Sequence, residues 1–393
     1  MSNPTLAFDD SPGILMTGGT GLLGRYLLRD LALANRPVAV IVRRTRNQTA
    51  VSRVESLFRT WETRLGLELP RPVVLEGDLT QPQLGLLPEQ IDWIKQNCDS
   101  VLHNAASLTF VSGSREGEPW VTNVGGTQNV LDVCQEANID QFHHVSTAYV
   151  CGRRQGTVLE TELNEGQELS NDYELSKIES EQLVRNASFL RQVTVYRPGI
   201  IVGDSESGLT TTFHGFYATL RLVHTIRKSA ESNHFETGET SARLNLNGDE
   251  RKNLIPVDWV SEAITRIIGS PEHHGQTYHL TSDSPVTSKM ILDVVDATCG
   301  LNGTARFVGA SSKLENPTEL ERLFYENMRV YEAYWRNDPV FDTSNTRRAL
   351  PELPCPVIDE DRLMMLAKSA IDLDFRWKDV PVPDSDQVLG SSH

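Results

Sequence analysis

The chain has 393 residues, 53 acidic against 37 basic, for a formal net charge of −16. That length allows roughly two to three domains with a core that needs no staples, and that charge speaks against a general nucleic-acid or anionic-membrane binder. No apolar run is long enough for a membrane span, the start MSNPTLAFDD has no signal-peptide pattern, and the five scattered cysteines never show CxxC spacing; a cytoplasmic, reducing location without disulfide framework or metal is expected.

The first predicted element is a buried strand, Gly13-Ile14-Leu15-Met16-Thr17, followed by helical spacing from Leu22 to Leu33. The turn between them reads Thr17-Gly18-Gly19-Thr20-Gly21-Leu22-Leu23-Gly24, a GxxGxxG pattern. Its place between strand and helix makes it a dinucleotide signal. Gly18 permits the tight turn, Gly21 lets backbone approach a pyrophosphate at the helix N-terminus, and Gly24 lets the helix pack close to the sheet. The second strand, Val38 to Val42, ends in Arg43 and Arg44, with Arg43 19 positions beyond Gly24. An NAD site has a carboxylate there; guanidinium groups instead grip a 2′-phosphate, so NADP(H) is expected. A helix over Arg53–Leu65 precedes a third strand, Val73-Val74-Leu75, which runs into Gly77-Asp78-Leu79. Asp78 is read either as a partner of the adenine amine or as a surface turn.

Strands at Ser100–Leu102, Gln141–Ser146 and Val193–Tyr196 alternate with helices at Thr127–Ala137 and Glu174–Asn186. This βαβ rhythm predicts a parallel sheet covered on both faces. Thr147 follows the strand that ends at Ser146, on the carboxyl edge where ligands bind. Tyr173 and Lys177 stand four apart on one helix face. A lysine there lowers the phenol pKa and reaches a ribose hydroxyl.

After Gly203 the rhythm changes. Phe216–Lys228 reads as a helix and Ser229–Thr240 as a polar stretch. Leu254-Ile255 and Val257–Ile268 return to strand and helix, Thr277–Leu280 is one more strand, and 284–350 is expected to be mostly helical. Phe213, Phe216, Tyr217 and Leu220 fit core packing by default and an acyl-chain pocket as the sharper idea. Glu315, Glu319 and Glu321 are expected on a solvated acidic helix face, Trp259, Trp335 and Trp377 in packing, and His103, His143, His144, His273 and His274 in structural roles, since no HxxxH or HExxH spacing occurs. The tail after Pro351 is proline-rich and its end, Gly390-Ser391-Ser392-His393, is expected to fray.

Taken together, TGGTGLLG (17–24), HNAAS (103–107), VSTAYV (145–150), YELSK (173–177) and YRPGIIVGDSESG (196–208) resemble an extended short-chain dehydrogenase/reductase. HVSTAYVCG, RPGIIVGDSESG and NLIPVDWVSEAI (253–264) resemble its thioester reductase and fatty acyl-CoA reductase group, which includes the male-sterility members. The resemblance runs over about residues 12–350. It implies an α/β fold: a doubly wound parallel Rossmann sheet with a smaller, mostly helical C-terminal substrate domain. On that basis 1–205, with 253–283 returning to it, is the NADP-binding domain, and 206–252 with 284–393 the substrate domain.

The resemblance also implies roles. Tyr173 is the catalytic acid, Lys177 tunes it and binds ribose, and Thr147 is the catalytic Ser/Thr, with Ser146 facing the sheet. Asn104, Ala105 and Ala106 lie beside the cofactor, with Thr17, Gly18, Thr20, Gly21, Leu22, Gly24, Arg43, Arg44, Asp78 and Leu79. Pro198, Gly199 and Ile200 form the loop over the nicotinamide. No substrate loop can be assigned to 209–252. The implied reaction is reduction of an acyl thioester to an aldehyde, or on to the alcohol, with coenzyme A or an acyl or peptidyl carrier protein as thiol partner. A nucleotide-sugar epimerase or dehydratase, or a ketone or hydroxysteroid reductase, is the alternative on the same fold; epimerases usually use NAD, which Arg43 and Arg44 speak against. A noncatalytic cofactor sensor is disfavoured by the joint presence of Thr147, Tyr173 and Lys177.

Overall fold

The computed structural model describes residues 12–233, 242–300, 303, 305–310 and 314–379. The first ten residues, 234–241 of the polar stretch and the 390–393 end lie outside them. In chain order the elements are β1 (Gly13–Thr17), α1 (Leu22–Leu33), β2 (Val38–Val42), α2 (Ala50–Leu65), β3 (Val73–Glu76), α3 (Pro88–Asn97), β4 (Cys98–His103), α4 (Gly126–Ala137) and β5 (Gln141–Val145). Then come β6 (Thr157–Val158), α5 (Asp172–Asn186), β7 (Gln192–Pro198), β8 (Ile200–Val202), α6 (Phe216–Asn233), β9 (Ala242–Leu244), β10 (Arg251–Lys252), β11 (Leu254–Pro256) and α7 (Val257–Ile268). The last are β12 (Thr277–Leu280), β13 (Val286–Thr287), α8 (Ser288–Cys299), β14 (Ala305–Phe307), α9 (Glu319–Met328), β15 (Val340–Phe341), α10 (Ser344–Ala349) and α11 (Glu360–Asp372).

Seven strands form one parallel sheet in the order β3-β2-β1-β4-β5-β7-β12. Every residue of β1 and β2 is buried, as expected of strands covered on both faces. One face carries a core from α1, α2 and α7, among them Tyr26, Leu31, Trp61 and Ile264. The other carries α3 and α4 residues such as Ile91, Ile94, Val130 and Val133. The chain therefore forms a Rossmann-type doubly wound sheet. Its order reverses between β1 and β4, and a ligand crevice belongs outside the carboxyl ends of the strands at that point.

The late segment 253–283 returns to this body. Leu254 to Pro256 pair in parallel with Ile200 to Val202, β12 joins the sheet beside β7, and Ser261 on α7 donates 2.5 Å to Asp30 on α1. A separate cluster joins Phe216, Tyr217 and Leu220 of α6 to Val294 and Val295 of α8 and Leu363 and Leu366 of α11.

Several elements differ from expectation. The helix α3 was not foreseen; it opens on Pro88, which tolerates the first helical position because that N–H has no partner in any helix. The segment 284–350 holds helices but also the strands β13, β14 and β15. Ala305–Phe307 pairs with Ala242–Leu244, and Val340–Phe341 with Thr157–Val158, so distant partners rather than local pattern make them strands. No helix among the described residues is long and apolar enough to cross a membrane.

Candidate active site

A single cavity of about 790 Å³ runs from the glycine turn, past the ends of β4 and β5, into the space between α6, α8 and α9. The turn after β1 forms its first wall. Gly18 has φ +73°, and a Cβ there would stand 2.6 Å from the Ala105 backbone nitrogen. A Cβ on Gly24 would meet the Gly18 carbonyl oxygen at 2.0 Å. The glycines are thus required for the turn itself, and α1 begins at Leu22 with N–H groups free to receive an anion. Asn104 Nδ2 donates 3.1 Å to the Gly18 carbonyl and ties the end of β4 to this turn.

Gly18, Thr20, Gly21, Leu22, Arg43, Asp78, Leu79, Asn104, Ala105, Ala106, Thr147, Tyr173, Lys177, Pro198, Gly199 and Ile200 all line the cavity. Three other candidates do not. Thr17 is fully buried beneath the turn, where its Oγ1 bonds His103 Nδ1 at 2.8 Å and accepts from the Ala105 N–H at 3.2 Å. Gly24 sits behind Gly18 in the helix-to-turn packing. Arg44 points away and stands 3.6 Å from Glu76. Asp78 Oδ1 serves its own turn, accepting from the Thr80 N–H and hydroxyl at 3.0 and 2.9 Å, while its Oδ2 stands 3.8 Å from Arg43 Nη1 at the cavity wall.

One lining cation was missed. Arg53, on the first turns of α2, donates 3.0 Å to Thr20 Oγ1 and 2.5 Å to the Arg43 carbonyl. Burial and the Arg43 charge push its pKa down, the mark of a cation held near another cation. The only sequence signal was a basic residue on the first turns of the helix after β2. The backbone cradle at Gly18, the free helix N-terminus and the Arg43–Arg53 pair fit a phosphorylated dinucleotide in this cavity.

The chemical end is built by α5 and the segment after β5. Asn171 caps α5, its side chain accepting from the Glu174 N–H at 3.0 Å, and this sets Tyr173 and Lys177 one turn apart on the cavity side. Lys177 is buried, and its Nζ donates 2.8 Å to the Val145 carbonyl at the end of β5. Burial lowers its pKa to about 8, against a pull upward from Glu181. Burial raises the Tyr173 phenol, a shift the Thr147 hydroxyl opposes, so the phenol is protonated near neutrality. The Tyr173 ring stands edge-on to Phe110, centroids 5.9 Å apart. Thr147 Oγ1 accepts from the Tyr149 N–H at 3.3 Å. Ser146, expected to face the sheet, lines the cavity as well, and its buried Oγ has no partner among the described residues.

The histidine at the end of β4 is structural. His103 bridges Thr17 and Thr127, and burial first and Lys177 second push its pKa down to about 3, so it is neutral. Glu321 corrects the expectation of a solvated acidic face. It is buried, and Arg243 holds it through both Nε and Nη2, which takes its pKa down to about 2. Trp335, expected only to pack, packs on Phe324 with centroids 5.7 Å apart and also lines the cavity. Phe216 and Tyr217 line it too, whereas Leu220 is core.

With this geometry in view, the chain was compared with known proteins. Residues 16–264 match the family described as male sterility protein. Among curated proteins the chain is similar to the aldehyde reductase lnaA of Aspergillus flavus, 26% identical over 90% of this chain and 35% of that protein. It is also similar to the fatty acyl-CoA reductase wat of Drosophila melanogaster, 23% identical over 67% of this chain and 55% of that one. The chain thus spans about a third of the first relative and about half of the second. Among solved structures it is similar to the terminal R domain from the myxalamid PKS-NRPS biosynthetic pathway, with a TM-score of 0.73 and 27% identity over 96% of this chain and 94% of that one. A UDP-glucose 4-epimerase from Bifidobacterium longum, in complex with NAD+ and UDP, superposes with a TM-score of 0.62 at 17% identity, over 93% of this chain and 100% of that one. That second likeness shows the fold alone.

Proposed function

The chain belongs to the male sterility protein family, an NAD(P)-binding group of extended short-chain dehydrogenase/reductases, and from that premise we propose that it reduces an acyl thioester to an aldehyde and a free thiol with NADPH. One observation carries the reading: Thr147, Tyr173 and Lys177 meet in a cavity that has a dinucleotide cradle at one end and an apolar chamber at the other. The relatives named for aldehyde reductase, fatty acyl-CoA reductase and R-domain function support it. Residues 1–205 with 253–283 serve the cofactor, and 206–252 with 284–393 the substrate. The thiol partner is coenzyme A or the phosphopantetheine arm of a carrier protein.

NADPH, when bound, supplies the hydride that the acyl carbonyl needs. Gly18, Thr20, Gly21, Leu22, Asn104, Ala105 and Ala106 hold its pyrophosphate and riboses. Pro198, Gly199 and Ile200 cover its nicotinamide, and Arg43 and Arg53 its 2′-phosphate. The Tyr173 phenol and the Thr147 hydroxyl donate to the carbonyl oxygen as charge develops there, and Tyr173 supplies the proton that completes the hemithioacetal. Its C–S bond then breaks as the Tyr173 phenolate takes the hydroxyl proton back, leaving the aldehyde, and the departing thiolate is protonated from water. Lys177 favours proton release from Tyr173 through its charge.

The test is purified protein with NADPH and a panel of acyl thioesters and ketones, followed by cofactor absorbance with aldehyde captured as product. Thioester-dependent oxidation is expected; oxidation by simple ketones alone overturns the reading. Arg53→Ala is expected to raise the NADPH dissociation constant about tenfold, the scale of one charge-assisted hydrogen bond, and leave NADH binding nearly unchanged. Equal losses for both cofactors would remove Arg53 from the 2′-phosphate site.

The Lys177 pKa of about 8 gives a pH dependence with a definite sign. Its charge is present below that value and lost as pH rises through it. The kcat/KM for NADPH, which reports groups of the free enzyme, is therefore expected to fall above about pH 8. Lys177→Arg keeps the charge and is expected to remove that descending limb from whatever activity remains. A flat profile through pH 7–10 in the unsubstituted enzyme would contradict it.

A further inference from the structure

The cavity does not end at Tyr173. Phe110 touches Tyr173 on one side and Tyr331 on the other, with centroids 5.9 and 5.7 Å apart. Tyr331 in turn packs on a cluster separate from the sheet core. Leu244, Leu246, Phe307, Phe324, Met328 and Trp335 belong to that cluster and also line the cavity. They come from β9, β14, α9 and the turn after it, elements outside the seven-stranded sheet.

The polar groups on this side are already engaged within the protein. The Ser288 hydroxyl donates to Glu250. Lys252 Nζ donates to the Arg336 carbonyl and lies 3.4 Å from Asp338. His214 Nδ1 pairs with the Tyr331 hydroxyl at 3.4 Å. Among the described lining residues the Lys252 charge is paired with Asp338, and Glu118, which is exposed and accepts from the Thr122 hydroxyl, does not belong to the apolar cluster that walls the chamber. A chamber of this kind rewards apolar surface and penalises any charged group brought into it.

Resting on the thioester reading above, we infer that this chamber seats the acyl group, and that the acyl group is an unsubstituted aliphatic chain rather than an amino- or carboxy-substituted one. The chamber is continuous with the space between Thr147 and Tyr173, so a chain seated in it puts its carbonyl at the two hydroxyls. The aromatic collar of Phe110, Tyr331 and Tyr334 lies between the two regions.

The test compares butanoyl-, hexanoyl- and octanoyl-CoA, and suberoyl-CoA, which is octanoyl-CoA with its terminal methyl replaced by a carboxylate. The kcat/KM is expected to rise about fourfold per added methylene, from the free energy of burying each one. Suberoyl-CoA is expected to fall on the order of a hundredfold below octanoyl-CoA, from the cost of a buried unpaired charge. Met328→Trp, which fills the chamber, is expected to cut the octanoyl-to-butanoyl ratio about tenfold. That ratio is taken within one protein and does not depend on how much of it is folded. A flat chain-length series, or suberoyl-CoA equal to octanoyl-CoA, overturns the inference while leaving thioester reduction intact. A second arm measures calorimetric binding of the same thioesters with NADP+ present, where no turnover occurs. If no thioester oxidises NADPH yet binding tightens with chain length, the reaction reading fails and the chamber stands. Binding indifferent to chain length overturns the chamber whatever the enzyme does.

Discussion

Tyr173→Phe is expected to lower kcat by about 10²- to 10⁴-fold, the usual range for a positioned proton donor, and to leave the NADPH dissociation constant within error of the parent. The two outcomes separate because only the hydroxyl is removed. The Phe ring keeps the edge-on contact with Phe110, and the glycine turn that forms the cradle lies on other elements. Burial lifts the Tyr173 phenol, so at neutral pH it holds a proton to donate, while the Thr147 hydroxyl opposes that rise. Thr147→Ala should cost less, about 10²- to 10³-fold, because one donor to the oxygen remains. Stopped-flow single turnovers with saturating NADPH measure the chemical step directly. A Tyr173→Phe enzyme with parental turnover would show that the proton comes from elsewhere, with Ser146, whose buried Oγ has no partner among the described residues of the same cavity, as the alternative donor.

The sheet was legible because its strands obey local rules. Gly13–Thr17 and Val38–Val42 are short apolar runs bounded by turn residues, and each is buried throughout. The glycine turn was legible for the same reason: Gly18, Gly21 and Gly24 fall in eight residues, and at Gly18 and Gly24 a Cβ would collide with backbone. Tyr173 and Lys177 share one helix turn. What escaped depends on partners far along the chain. Glu321 looks solvated until Arg243, 78 positions earlier, is seen to bind it. Trp335 looks like packing until Phe307 and Leu244 are found beside it on one chamber wall. Arg53 belongs to an amphipathic helix, and only the turn of α2 against Thr20 brings it to the cavity. The chamber draws on β9, α8, β14 and α9, whose pairing follows from β9 meeting β14 across some sixty positions, a register no periodicity encodes.

The helix that carries Tyr173 and Lys177 is anchored at its other end by a buried ion pair, and removing one partner there should have the largest effect on stability. Glu181 and Arg197 are both fully buried. Glu181 Oε1 lies 2.6 Å from Arg197 Nη2 and also accepts from Arg185 at 2.7 Å, while Arg197 Nη1 donates to the Glu162 carbonyl. Burial would raise the Glu181 pKa, but Arg197 and Arg185 together hold it below the ordinary carboxylate range. Glu181→Ala is expected to cost about 3–5 kcal/mol in unfolding free energy, since it leaves the Arg197 guanidinium buried without a counter-charge. The loss comes from the stranded charge more than from the lost attraction, so Glu181→Met combined with Arg197→Met should recover most of it. Chemical denaturation of the two single and the one double variant, read as a cycle, tests this. A double variant as unstable as the sum of the singles would mean no coupling between the two residues and would overturn the stranded-charge account. Glu181 also contributes the one charge that raises Lys177 against burial, so Glu181→Gln should move the descending limb of the pH profile to lower pH. That shift would appear even if the variant were fully folded, and it would link the anchor of α5 to the proton chemistry two turns away.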